Sequence, residues 1–142
     1  MLLADPPRGK VMVVDDDPAV LELITTRLAI AGYQTFAARD GQEAVSRLGE
    51  VRPTAMVLDI NMPRLDGFGV LRQMRQTRMI SQVAVMVLTA RTQSDDVQQA
   101  VALGARDFLS KPFKDTQLLS RVARLLRPPP SDGGPPKSFQ YI

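Results

Sequence analysis

The sequence predicts an α/β fold, a doubly wound five-stranded parallel sheet with helices on both faces. Three observations predict it. Short apolar runs at 11–14 (VMVV), 55–58 (AMVL) and 83–88 (VAVMVL) are continuous rather than alternating. Strands read this way when helices cover both faces of their sheet. Segments of helical periodicity lie between the runs, so strand and helix alternate along the chain. Capping and stop residues bracket those segments.

Taken in order, the first strand is 11–14. Asp17-Pro18 then opens a helix, with Asp as N-cap and Pro at the first helical position. Val20, Leu21, Ile24 and Leu28 recur at helical spacing, and Gly32 closes the segment. A weaker strand follows at 34–37. Asp40-Gly-Gln-Glu43 resembles a capping box ahead of Ala44, Val45 and Leu48. The second strong strand is 55–58. Asp66 to about Gln76 carries Phe68, Leu71 and Met74 as the third helix. After the run at 83–88, Ser94 caps a helix with Val97, Ala100 and Val101 that ends at Gly104. A short strand at 107–109 precedes the last helix, from about Asp115 to Leu126, with Leu118, Leu119, Val122, Leu125 and Leu126. Beyond Arg127 the composition turns to Pro, Gly and Ser, which holds neither helix nor central strand. The expected organisation is an N-terminal extension at 1–9, one domain at 10–127 and a linker or tail at 128–142. Within the tail, 138–142 (SFQYI) is apolar enough to dock.

Composition narrows the function. The chain has 142 residues, 44% of them apolar, which suits one domain with a real core. Cysteine and histidine are both absent. Disulfides, thiolate and imidazole metal sites, Ser-His triads and histidine bases are therefore excluded. A net charge of +3 with Lys and Arg spread along the chain reads as a solvated mixed-charge surface. No direct nucleic-acid binding is expected from it. No apolar run approaches the roughly 20 residues of a membrane span, and the N-terminus lacks a signal-peptide core. A cytoplasmic protein without membrane insertion is expected.

In open α/β sheets ligands bind beyond the carboxyl ends of the strands. Asp15-Asp16-Asp17 follow the first strand, Asp59 the third, Thr89 the fourth and Lys111-Pro112 the fifth. Clustered carboxylates repel one another unless a cation neutralises them or one is protonated. Oxygen donors select a hard ion such as Mg2+. With a lysine nearby they make a pocket for a dianionic phosphoryl group, and an aspartate can be the nucleophile. Plainer readings stand beside each residue: Asp17 as a helix cap, Asp15 and Asp16 as turn residues, Thr89 as a strand end, Lys111 as a solvated charge.

The strings VMVVDDDP (11–18), LDINMPRLDG (58–67), VLTA (87–90) and GARDFLSKPF (104–113) resemble the receiver domain of bacterial two-component response regulators. The resemblance covers about 10–126. It implies a flavodoxin-like sheet of order 2-1-3-4-5. It implies that Asp59 accepts a phosphoryl group from a phosphohistidine, which must sit on another chain because this one has no histidine. Asp16, Asp59 and the backbone carbonyl of Asn61 would ligate magnesium, and Asp15 would hold a metal-bound water. Lys111 would pair with the phosphoryl oxygens, across a cis bond to Pro112. Thr89 would move onto the phosphoryl group, Phe108 would be the switch aromatic, and Ala90 would leave room. Pro63 and Gly67 would shape the turn and the tight start of the third helix.

The implied function is a phosphorelay switch that catalyses only its own phosphorylation and dephosphorylation. A sensor histidine kinase or histidine phosphotransfer protein would be its donor. The output would pass through the fourth helix, fifth strand and fifth helix to an output domain or partner protein. The tail is too short for an output domain, which leaves a single-domain regulator or a piece cut at its linker, with the linker-like composition favouring the piece. Gln99, Arg106 and Gln117 stand where winged-helix regulators carry charges for dimerisation, which argues against that dimer. Two other classes compete: an aspartyl-phosphate hydrolase, for which the chain has no room for a cap domain, and a phosphorylation-independent interaction module.

Overall fold

A computed structural model describes residues 8–90 and 94–127, except the side chain of Ser94. Five parallel strands, β1 (Lys10–Val14), β2 (Gln34–Ala38), β3 (Ala55–Asp59), β4 (Ala84–Thr89) and β5 (Asp107–Ser110), form one sheet in the order β2-β1-β3-β4-β5. Five helices alternate with them: α1 (Pro18–Ile30), α2 (Gly41–Val51), α3 (Gly67–Gln76), α4 (Ser94–Ala102) and α5 (Asp115–Leu125). The doubly wound fold is as the apolar runs indicated. The strands differ at their ends: Val83 lies outside β4, while Asp59 and Thr89 are each the last residue of a strand. Backbone pairing thus holds both side chains at the rim. A short 3-10 turn, Met79–Ser81, joins α3 to β4 and has no signature in the periodicity.

The continuous apolar runs have a direct cause. Met12, Val14, Met56, Leu58, Val85 and Val87 pack on one face with α2, α3 and α4. Val11, Val13, Ala55, Val57, Met86 and Leu88 pack on the other with α1 and α5. Successive strand residues point to opposite faces, so a sheet covered twice needs apolar residues at every position. Each fully buried Val, Leu or Met contributes about 1.5–3 kcal/mol.

Local chemistry sets the helix ends. Asp17 accepts the Ala19 N–H at 2.9 Å and Asp66 the Gly69 N–H at 2.8 Å. Asp40 accepts the Glu43 N–H at 2.8 Å, but Glu43 returns its bond to Arg39 rather than to Asp40, so the capping box is shifted by one residue. α1 and α4 both end in a Schellman motif. Gly32 (φ 103°) and Gly104 (φ 110°) take the left-handed position, and Tyr33 and Ala105 donate back to the carbonyls of Leu28 and Ala100. The expected capping by the Ser94 side chain, the remainder of the 1–9 extension and the whole 128–142 tail lie outside the described residues.

Candidate functional site

Four loops converge at the carboxyl end of the sheet. Asp15 follows β1 directly, is fully buried, and has both oxygens engaged. Its Oδ1 accepts the Asp17 N–H at 2.9 Å, and its Oδ2 takes the Lys111 ammonium at 2.9 Å. Asp59 closes β3 at 4% exposure. Its Oδ1 accepts the Asn61 N–H at 3.2 Å, and its Oδ2 lies 3.6 Å from Lys111 Nζ. Oxygens of Asp15, Asp16 and Asp59 lie within 4.8 Å of one another, and Asp16 is exposed at the mouth. Lys111 is held by its own backbone, whose N–H donates to the Thr89 carbonyl at 2.9 Å, and its bond to Pro112 is cis.

Electrostatics follow from this packing. Burial, then the charge of Asp15, push the Asp59 carboxyl up to about 6, against the pull of Lys111 and the Asn61 N–H. Burial pulls the Lys111 ammonium down, but Asp15 and Asp59 outweigh it and the net shift is upward. Lys111 is therefore a fixed cation between two buried carboxylates. Asp59 is a more basic, more nucleophilic carboxylate than an exposed one.

Gly67 is needed here for space. A Cβ on it would stand 2.7 Å from the Asp59 carbonyl oxygen and 2.7 Å from Ile60 Cα. The first turn of α3 thus packs directly on the end of β3, which is the tight approach the DG pair indicated.

The family-model comparison decides what this rim belongs to: the model described as the response regulator receiver domain matches residues 11–123. The chain belongs to the response regulator receiver family. It is a receiver domain of two-component signalling. The response regulator MprA of Mycobacterium sp. (strain KMS) is 45% identical over 129 residues, 89% of this chain and 54% of that protein. The probable transcriptional regulator ycf27 of Porphyridium aerugineum is 38% identical over 84% of this chain and 49% of that one. The receiver chain spans about half the length of these curated relatives. Among solved structures, the Vibrio cholerae chemotaxis protein CheY4 has a TM-score of 0.79 at 31% identity, covering 83% of this chain and 98% of that one. A signal receiver domain from Bermanella marisrubri has a TM-score of 0.76 at 36% identity, covering 83% and 98%.

The receiver rim brings Asp15, Asp16, Asp59 and Lys111 together. Asn61 joins through its N–H, with an exposed side chain. Thr89 is buried at the end of β4, beside Leu88, which pairs with Asp59 in register. Phe108 stands further off. It pairs with Val87, is half-buried against the α2–α3–α4 core, and lines a shallow cleft with Pro112, Gln117 and Arg121. Receiver domains typically bind Mg2+ at an acidic pocket. The donor set here fits: oxygen ligands only, two fixed by hydrogen bonds and one open to water.

One buried group escaped the sequence reading. Asp107, at the start of β5, is 4% exposed; its Oδ1 accepts the Phe108 N–H at 2.8 Å and pairs with Arg121 of α5 at 2.8 Å. Fourteen residues separate the partners. The one available signal was an acid opening an otherwise apolar strand.

Proposed function

We propose that this receiver accepts a phosphoryl group on Asp59 from a phosphohistidine of a sensor kinase or histidine phosphotransfer protein, with Mg2+ as cofactor. The observation that carries the proposal is Lys111 Nζ, set 2.9 Å from Asp15 and 3.6 Å from Asp59 at the mouth of the acid cluster. In the transfer, a lone pair of Asp59 Oδ2 forms the bond to phosphorus. The phosphorus–nitrogen bond breaks, and its electron pair leaves on the donor imidazole. Asn61 N–H holds the other Asp59 oxygen, which fixes the direction of attack. Asp16, Asp59 and the Asn61 carbonyl would hold the metal and Asp15 a metal-bound water; when bound, Mg2+ neutralises charge on the phosphoryl oxygens. Lys111, already fixed and cationic, pairs with one of those oxygens.

The product adds about 1.5–2 negative charges beside Thr89 and Lys111. Thr89 hydrogen-bonds the phosphoryl group, Phe108 turns inward, and α4, β5 and α5 repack as the output face. The chain is then a cytoplasmic switch that catalyses only its own phosphorylation and dephosphorylation. Acetyl phosphate or phosphoramidate with Mg2+ should add one phosphoryl group by intact mass. Equal labelling of Asp59→Asn as an acyl phosphate would remove Asp59 from the role.

A further inference from the structure

The cations that look scattered in the sequence gather in space. Parallel strands all start at one end of the sheet, opposite the acid rim. Lys10 opens β1, Arg52 caps the C-terminus of α2, Arg78 precedes β4, Arg106 precedes β5, and Arg124 and Arg127 lie at the end of α5. All six are exposed. Contacts bind these segments into one surface. Lys10 Nζ reaches the Val51 carbonyl beside Arg52, Arg106 N–H donates to Val85 O of β4, and Leu126 and Thr54 both border Gly9. None of the six has a carboxylate partner within 4.0 Å among the described residues. There Glu50 is the one exposed acid on this end.

Compensation of helix dipoles accounts for part of it, since Arg52 is the C-cap of α2, Arg78 follows the C-cap of α3 and Arg127 follows that of α5, but Lys10 and Arg106 stand at strand starts. Of the six, Arg124 alone lies in the last turn of a helix, and α2 and α4 have no basic residue in theirs. We propose that this basic end is a sequence-independent docking surface for the phosphate backbone of nucleic acid. Five of the six are arginines, whose planar forks suit phosphate. From β1 to β5 they span three strand spacings, about 14 Å, which suits a repeating anion rather than one phosphate. A folded protein partner would need an apolar centre to bury, and a membrane surface would need apolar anchors. Of the large exposed hydrophobics among the described residues, Leu23 lies within α1 and Ile30 closes α1 at this end, a single apolar residue rather than an apolar centre. The acid rim repels the same polymer, so a bound duplex leaves Asp59 open. Such docking runs against the expectation of no nucleic-acid contact, which rested on the order of charges in the sequence. It does not depend on phosphorylation.

Arg52 and Arg78 allow a clean test. Both are left-handed (φ 50° and 61°), where glycine is the less strained residue, so Arg→Gly removes charge without harming the fold. Arg64 (φ 68°), in the β3–α3 loop near the acid rim, is the matched control. The full 142-residue chain is titrated into a fluorescently labelled random-sequence duplex at roughly 50 and 200 mM salt and followed by anisotropy. Binding is expected to weaken steeply with salt. Arg52→Gly with Arg78→Gly should lower affinity about tenfold and flatten the salt slope by about 2, with an unchanged or higher melting temperature. Arg64→Gly should stay within about twofold, since it lies off the surface. Absence of binding at the lower salt, an equal loss in Arg64→Gly, or stronger binding to polyglutamate or anionic vesicles than to the duplex would each overturn the proposal.

Discussion

Lys111 carries more of the site than its single charge suggests. It faces two carboxylates that are 0% and 4% exposed. Removing one partner of a buried pair strands the other, at roughly 3–5 kcal/mol. Here the cost is lower, because the Lys111 side chain keeps 23% of its exposure and Asp59 can take up a proton instead. Lys111→Ala should therefore lose about 1–3 kcal/mol at neutral pH without metal, read by urea unfolding. It should also raise the Asp59 pKa and slow labelling by acetyl phosphate. Gly67→Ala tests the neighbouring contact. Its methyl would displace the Asp59 and Ile60 backbone, so we expect a loss of about 1–3 kcal/mol and slower labelling together. Unchanged labelling would separate the packing from the chemistry. The acids, the hydroxyl and the lysine of this site were all legible in the sequence, because strand ends in a parallel sheet share one rim.

Elements were legible where one short-range rule decides them. Asp17 and Asp40 cap as expected, and Gly32 and Gly104 stop as expected. The 3-10 turn at 79–81 was not, because three residues carry no period. Nor was the Asp107–Arg121 pair, which exists only once α5 lies against β5. That pair ties the Phe108 backbone to the output face proposed above. Asp107→Ala should cost about 1–3 kcal/mol, since it frees a buried N–H and removes the partner of Arg121, whose side chain is 31% exposed and can turn to water. Asp107→Asn, which can still accept from Phe108, should cost less than that. Chemical denaturation of Asp107→Ala, Arg121→Met and the double variant measures the coupling. A coupling near zero would reduce the pair to a surface contact.

At the scale of the whole molecule, topology decides what composition cannot. A net charge of +3 describes a molecule with an acid rim at one end and a basic surface at the other, and composition alone does not separate them. The acid rim also makes the stability of the entire fold depend on pH. Asp59 goes from 3.8 in the unfolded chain to about 6 in the native one. Its proton thus favours the folded state: the contribution is complete below pH 3.8 and is lost as pH rises through 6. By neutral pH the ionised, buried carboxylate costs about 3 kcal/mol. Bound Mg2+ relieves the same repulsion, and protons compete with it for the same oxygens. The rise in melting temperature on adding Mg2+ should therefore be several degrees at pH 7.5 and should shrink towards pH 5. Asp59→Asn should behave oppositely. In metal-free buffer it should melt above the parent at pH 7.5, keep about half of that advantage at pH 5, converge only towards pH 3.8, and gain little from Mg2+. Scanning calorimetry of both proteins across that range, with and without Mg2+, reads all three effects. A parent whose metal-induced shift is the same at both pH values would show that Asp59 is not the carboxylate the metal relieves.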